Sequence, residues 1–179
     1  MHTNLQRVQQ AIDDAVRGMN LQQLAWHRES KWSAAAILEH LSLTYSGTAK
    51  ALQRCLQAGC PGATAPTGRQ RVATFVVTGV RYMPPGQKAP SMVVPKGAAP
   101  ETVLDDVRRN LAAADDAISR CEAEFGAGAK IANHPTLGPL TARQWRTFHW
   151  VHTRHHMKQI ARIRAELAAQ TKATAATQA

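Results

Sequence analysis

From residue 4 onward, Leu5, Val8, Ile12, Ala15, Val16 and Met19 recur at steps of three and four among polar residues. That spacing predicts an amphipathic helix over 4–18, weakened at its end by Gly18. A second stripe of Ile37, Leu41, Thr44, Thr48, Leu52 and Cys55 follows a link that holds Trp26 and Trp32. Ser33 is placed to cap this helix, and Gly59 with Pro61 to stop it, so it spans about 33–58. A third stripe, Leu104, Val107, Leu111, Ala114, Ile118, Cys121 and Phe125, has Pro100 suited to its first turn and Gly126 with Gly128 beyond its end. Thr141 and Gln144 then have the T-x-x-Q form of a capping box. They open the last and longest helix, over 142–169, about 42 Å long at 1.5 Å per residue.

Residues 61–100 break this rhythm with seven of the nine prolines, five glycines, five basic residues and no acidic one. They read as connection. Inside them, QRVATFVVTGVRY (70–82) fits a short helix through Val72, Phe75, Val76, Gly79 and Val80, while its β-branched content also permits a strand. So long a connection crosses one end of the bundle and is a candidate lid. The segment KIANHPTLGPL (130–140) reads as a loop. Four amphipathic helices without an alternating strand pattern predict an all-α, antiparallel-type four-helix bundle with a long crossover between helices two and three. Residues 1–170 form its single domain. The small, polar residues 171–179 form a flexible tail.

Composition narrows the classes. A chain of 179 residues with 44% hydrophobic residues leaves room for one core. No apolar run approaches the ~20 residues that span a bilayer, and MHTNLQRVQQ lacks the apolar centre of a signal peptide, so a cytoplasmic protein without a membrane partner is expected. Cys55, Cys60 and Cys121 lack CxxC spacing, which indicates neither a disulfide framework nor a thiolate zinc site. The net charge of +10 attracts polyanions non-specifically. It sums to +2 over 1–60, +5 over 61–100, −4 over 101–125 and +7 over 126–179. No nucleic-acid recognition motif accompanies it, so no specific nucleic-acid partner is expected.

Four of the eight histidines lie between His149 and His156. On a helical wheel, His152 and His156 sit about 40° apart among Trp145, Phe148, Gln159 and Ile163, in the centre of the inward face. Arg143, Arg154, Lys158 and Arg162 occupy the opposite side, a solvated face. Imidazoles at i and i+4 can reach one cation, as in H-x-x-x-H sites. His40 lies three residues after Ile37 on the second helix and also points inward. One inward histidine is more often a hydrogen-bonded core residue than a ligand. Two adjacent buried imidazoles must both stay neutral and find partners, and for three a shared divalent cation is the simplest common reason. His149 and His155 border the same face as alternative ligands, supporting hydrogen-bond donors or proton carriers, with surface or packing roles equally open. Gln159 is a candidate to hold a ligand or water, and His134, before Pro135, to border the site mouth or to form a turn. His2 and His27 carry no signal.

No general base or nucleophile is evident. Glu39 points about 100° away from His40 on the helix, as a solvated residue or an ion-pair partner would. Ser42 and Ser46 lie within a helix, and no G-x-S-x-G is present. The catalytic residues therefore stay unassigned.

A histidine early in the second helix, in ILEHL (37–41), followed by HTRHHMKQI (152–160), resembles the DinB/YfiT-like superfamily of metal-dependent four-helix bundles. HPTLGPLTARQW (134–145) further resembles a bacterial subgroup with an HP-x-x-G-x-L-T-x-x-Q-W segment. The resemblance covers the helical frame of nearly the whole chain and maps the family's ligands to His40, His152 and His156. It implies thiol-dependent S-transferase, isomerase or hydrolase chemistry on a small-molecule substrate, with a low-molecular-weight thiol as one candidate. The loop over 83–100 matches nothing interpretable in that family, and substrate choice can reside there.

A three-histidine site with open positions suits Zn²⁺ or Ni²⁺, with Mn²⁺ or Fe²⁺ as further candidates, because imidazole sites follow metal availability. It activates water for hydrolysis or a small thiol for S-transfer. The alternatives are a non-catalytic metal-binding bundle and a basic nucleic-acid-binding bundle. A homodimer is a further expectation, since bundles of this size pair through apolar helix faces.

Overall fold

Five side chains set where helices begin. His2, Asn20, Ser33, Thr67 and Thr141 each accept a hydrogen bond from a backbone N–H two or three residues on. In the computed structural model, which describes residues 2–86 and 88–177, these caps open α1 (Thr3–Val16), α2 (Leu21–Ala25), α3 (Ala34–Ala58), α4 (Gly68–Thr74) and α6 (Ala142–Thr177). α5 (Val103–Phe125) instead carries Asp105 and Asp106 in its first turn, where carboxylates complement the unpaired N–H groups. The Thr141–Gln144 box closes in both directions, at 3.3 and 3.0 Å. α3 stops at Gly59, whose φ of +65° is a left-handed cap that glycine takes without strain.

Side-chain contacts fix the direction of each helix. Arg108 pairs with Asp13 at 2.6 Å and the backbone N–H of His2 reaches Asp115 at 2.9 Å, so α1 and α5 are antiparallel. Asn110 reaches Ser42 at 2.8 Å and the Cys121 thiol reaches the Leu52 carbonyl at 3.6 Å, so α3 and α5 run parallel. The Tyr45 hydroxyl meets Thr153 at 2.6 Å while Arg146 pairs with Glu122 at 2.6 Å, which sets α6 against both. The bundle of α1, α3, α5 and α6 is therefore up-down-down-up. Its core is drawn from all four, with Leu5, Val8 and Ile12, Ile37, Leu41 and Leu52, Val107, Leu111 and Ile118, and Trp145, Phe148 and Ile160 buried. Burial of each such side chain stabilises the fold by roughly 1.5–3 kcal/mol.

Because α3 and α5 are parallel, residues 59–102 must return the chain along about 37 Å of helix. The crossover thus runs the length of the bundle instead of crossing one end. Residues 70–82 take the helical option: α4 continues into a π-helical turn over Phe75–Gly79 that packs on α6. A 3₁₀ turn, Ser91–Val93, then packs on α3.

Several boundaries differ from the sequence pattern. Pro100 precedes α5 in a turn, because the helix starts at Val103. The segment expected as a loop before α6 holds a small antiparallel hairpin, β1 (Ala132–His134) with β2 (Gly138–Leu140), in the register Ala132↔Leu140. Gly138 has φ +72° and lies against Gln70 of α4, where a Cβ would come within 2.9 Å. α6 continues past residue 169 to Thr177, and residues 178–179 of the expected tail lie outside the described residues. No described helix is long and apolar enough to cross a membrane.

Candidate metal centre

The spacing that packs α3 and α6 together also aims three imidazoles at one point. His40 projects from α3 beside buried Ile37 and Leu41, and His152 and His156 project one turn apart from α6. His40 Nε2 lies 3.2 Å from His152 Nε2, and His156 Nε2 lies 3.1 Å from the same atom. All three ligand atoms fall within 4.8 Å of one another, which makes this a group able to hold a metal ion.

The far side of two rings decides what the near side presents. His40 Nδ1 donates to the Val93 carbonyl at 2.8 Å. His156 Nδ1 donates to the Gln159 amide oxygen at 2.8 Å. A carbonyl oxygen only accepts, so in both neutral rings the proton sits on Nδ1 and the Nε2 lone pair faces His152. His152 Nε2 can give a proton to one neighbour at most, and with that proton on Nδ1 three lone pairs face one another. A cation relieves that arrangement. Nitrogens about 2.0–2.1 Å from a shared ion lie roughly 3.0–3.4 Å apart, so the spacings of His152 Nε2 to its two neighbours fit a shared ion.

The surroundings favour neutral imidazoles. Burial holds His40 below the usual histidine range against the opposing Val93 hydrogen bond. Burial also lowers His156 to about 4, helped by His40. His152 is held well below its ordinary value by burial first and then by His156 and His40. Phe148 stacks on His152 with centroids 5.2 Å apart, and Trp32 lies 5.1 Å from His40. Of the three, His40 and His156 are buried and His152 is partly exposed, with its Nδ1 buried and unpartnered among the described residues.

The other residues singled out in the sequence take different places. Gln159 bridges His156 to His155, its amide nitrogen lying 3.3 Å from His155 Nε2. His149 is fully buried between Tyr45, Trp145 and Phe148, with no hydrogen-bond partner on either ring nitrogen among the described residues, and burial lowers it to about 3. His134 serves the hairpin: its Nδ1 accepts from the backbone N–H groups of Thr136 and Leu137, and its ring packs on Phe148 at 4.4 Å. His2, without signal in the sequence, caps α1. Arg143, Arg154, Lys158 and Arg162 are exposed, as the wheel predicts. Cys55 and Cys121 are buried and Cys60 exposed, all as free thiols.

Glu39 departs from expectation. It is not solvated and has no side-chain ion pair among the described residues: it is buried and accepts backbone N–H groups of Lys96, Gly97 and Ala98 at 2.8, 3.0 and 2.8 Å. The crossover passes along this side of α3, which the wheel of one helix does not register.

A family model described as "Protein of unknown function (DUF1569)" matches residues 3–163. No curated protein and no solved structure matches the chain.

Proposed function

The chain belongs to the DUF1569 family of proteins of unknown function, and from that starting point we propose that it is a divalent-metal-dependent enzyme using His40, His152 and His156 as its ligands. The observation that carries this reading is the convergence of three Nε2 atoms, two of them fixed as lone-pair donors by carbonyl acceptors behind the rings. Placement of this family in the DinB/YfiT-like superfamily supports it, since the matching segments ILEHL and HTRHHMKQI hold these same residues. Zn²⁺ or Ni²⁺, with Mn²⁺ or Fe²⁺ as further candidates, would supply a Lewis acid that lowers the pKa of water towards about 7 or holds a thiolate as nucleophile.

The chain's own residues bind, orient and shield. Val93 and Gln159 hold two rings in register, while Phe148 and Trp32 keep water from the packed side. Gln159 donates to His155 Nε2, which places the proton of that neutral ring on Nδ1, at the partly exposed end of the link. The reaction class proposed is hydrolysis or S-transfer on a small-molecule substrate, with a low-molecular-weight thiol as co-substrate in the second case.

Metal content of untagged protein is the test, for wild type and for His40→Ala, His152→Ala and His156→Ala, with circular dichroism reporting the fold. Near-stoichiometric metal in wild type and its loss from each folded variant is the expected result. Electrophile consumption with and without small thiols then separates transfer from hydrolysis. A wild type that takes up no divalent ion when one is supplied overturns the proposal.

A further inference from the structure

Glu39 and His40 leave α3 in directions about 100° apart, yet both end on the same stretch of crossover. His40 Nδ1 donates to the carbonyl of Val93, and the Glu39 carboxylate collects three successive N–H groups from residues 96–98, just beyond it. Gly97, at φ +91°, turns the backbone so that these N–H groups face one acceptor, an anion-holding arrangement that L side chains rarely permit. A carboxylate with 8% exposure requires such partners, and charge-assisted hydrogen bonds are the stronger kind. The two consecutive residues therefore clasp one strap, over 93–98.

We propose that Glu39 is a positioning residue for the three-histidine centre: by anchoring residues 96–98 it holds the Val93 carbonyl against His40 Nδ1, and so keeps the His40 Nε2 lone pair turned towards His152 and His156. The consequence for metal affinity rests on the reading of these histidines as ligands, whereas the consequence for the His40 proton does not. A carboxylate that merely stabilised the crossover would leave the tautomer of His40 unchanged. His156 is an internal control, because Gln159 rather than the strap fixes its ring.

The experiment reads the tautomers of His40 and His156 by long-range ¹H–¹⁵N NMR in metal-free protein above pH 7, and Zn²⁺ affinity by chelator competition. It compares wild type with Glu39→Gln and Gly97→Ala. The second variant leaves the carboxylate intact and meets no atom within 4 Å, so it disturbs the clasp only through backbone conformation. The expected result is a purely Nδ1-protonated His40 in wild type and a mixture in both folded variants, with His156 unchanged. Zn²⁺ affinity should fall about 10–100-fold, the usual effect of losing a partner behind a ligand. If Glu39→Gln does not fold, Gly97→Ala decides. A His40 that stays purely Nδ1-protonated in the folded variants overturns the proposal whatever the affinity. A shifted tautomer in a protein that binds no Zn²⁺ upholds the positioning role and overturns the metal reading instead.

Discussion

A histidine's role is set by what stands behind each ring nitrogen. His40 and His156 have carbonyl acceptors behind them and present lone pairs, whereas His149, on the same helix as His156, is enclosed by aromatic rings and has no hydrogen-bond partner among the described residues. His149→Phe keeps a ring and removes two unpartnered polar atoms, a change that is neutral or stabilising when no hydrogen bond is lost. The melting temperature should hold or rise and metal content should not change; a loss of more than about 1 kcal/mol would show that His149 makes a polar contact. The inward direction of His40, His152 and His156 was legible because periodicity reports the face on which a residue lies. Val93 was not legible as a partner, since a backbone carbonyl leaves no mark in side-chain identity. Glu39 reads as solvated or ion-paired because a wheel takes water to be whatever lies off the apolar face.

At the scale of elements, periodicity located α1, α3, α5 and α6, and the Thr141–Gln144 box located a start. The short α2 and α4 carry the same signal, in Asn20 with Gln23 and Thr67 with Gln70, and α4 shares the short apolar stripe that runs on from Val72, whereas α2 is too brief to show one. Three-residue strands are likewise too short to show alternation, so the hairpin of β1 and β2 read as a loop. The pairing of α3 with α6 rests in part on the buried hydrogen bond between Tyr45 and Thr153, in a setting that pushes the tyrosine pKa above its usual range. Tyr45→Phe leaves the Thr153 hydroxyl buried and unpaired, at a cost of about 1–3 kcal/mol. Urea denaturation of the metal-free protein should show that loss; an unchanged midpoint would mean that the hydroxyl is satisfied elsewhere.

For the whole molecule, neutral burial of histidines couples stability to pH. Burial depresses His134 and His156 to about 4 and His149 to about 3, from an ordinary value of 6.5. Between pH 6.5 and about 4 the unfolded chain binds protons that the folded chain does not, so acidification through this window favours unfolding. The slope is about 1.4 kcal/mol per pH unit for each such histidine. This stabilising contribution is present in full above pH 6.5, declines as pH falls, and is exhausted below the folded-state values. Chelated protein should therefore melt at progressively lower temperature from pH 6.5 to 4, and a flat profile would show that these rings are protonated in the native state. The parallel direction of α3 and α5 lies outside what periodicity conveys, and the long crossover between them reads in the sequence as crossing one end of the bundle.

His40 and His152 stand 112 positions apart in the chain, and the whole crossover and α5 lie between them. No fragment that ends before α6 contains both sides of the centre. During synthesis, α3 is complete long before its partner histidines leave the ribosome. Any ion held by all three histidines would thus be captured only once α6 has been made, and a product truncated before α6 would be left without it.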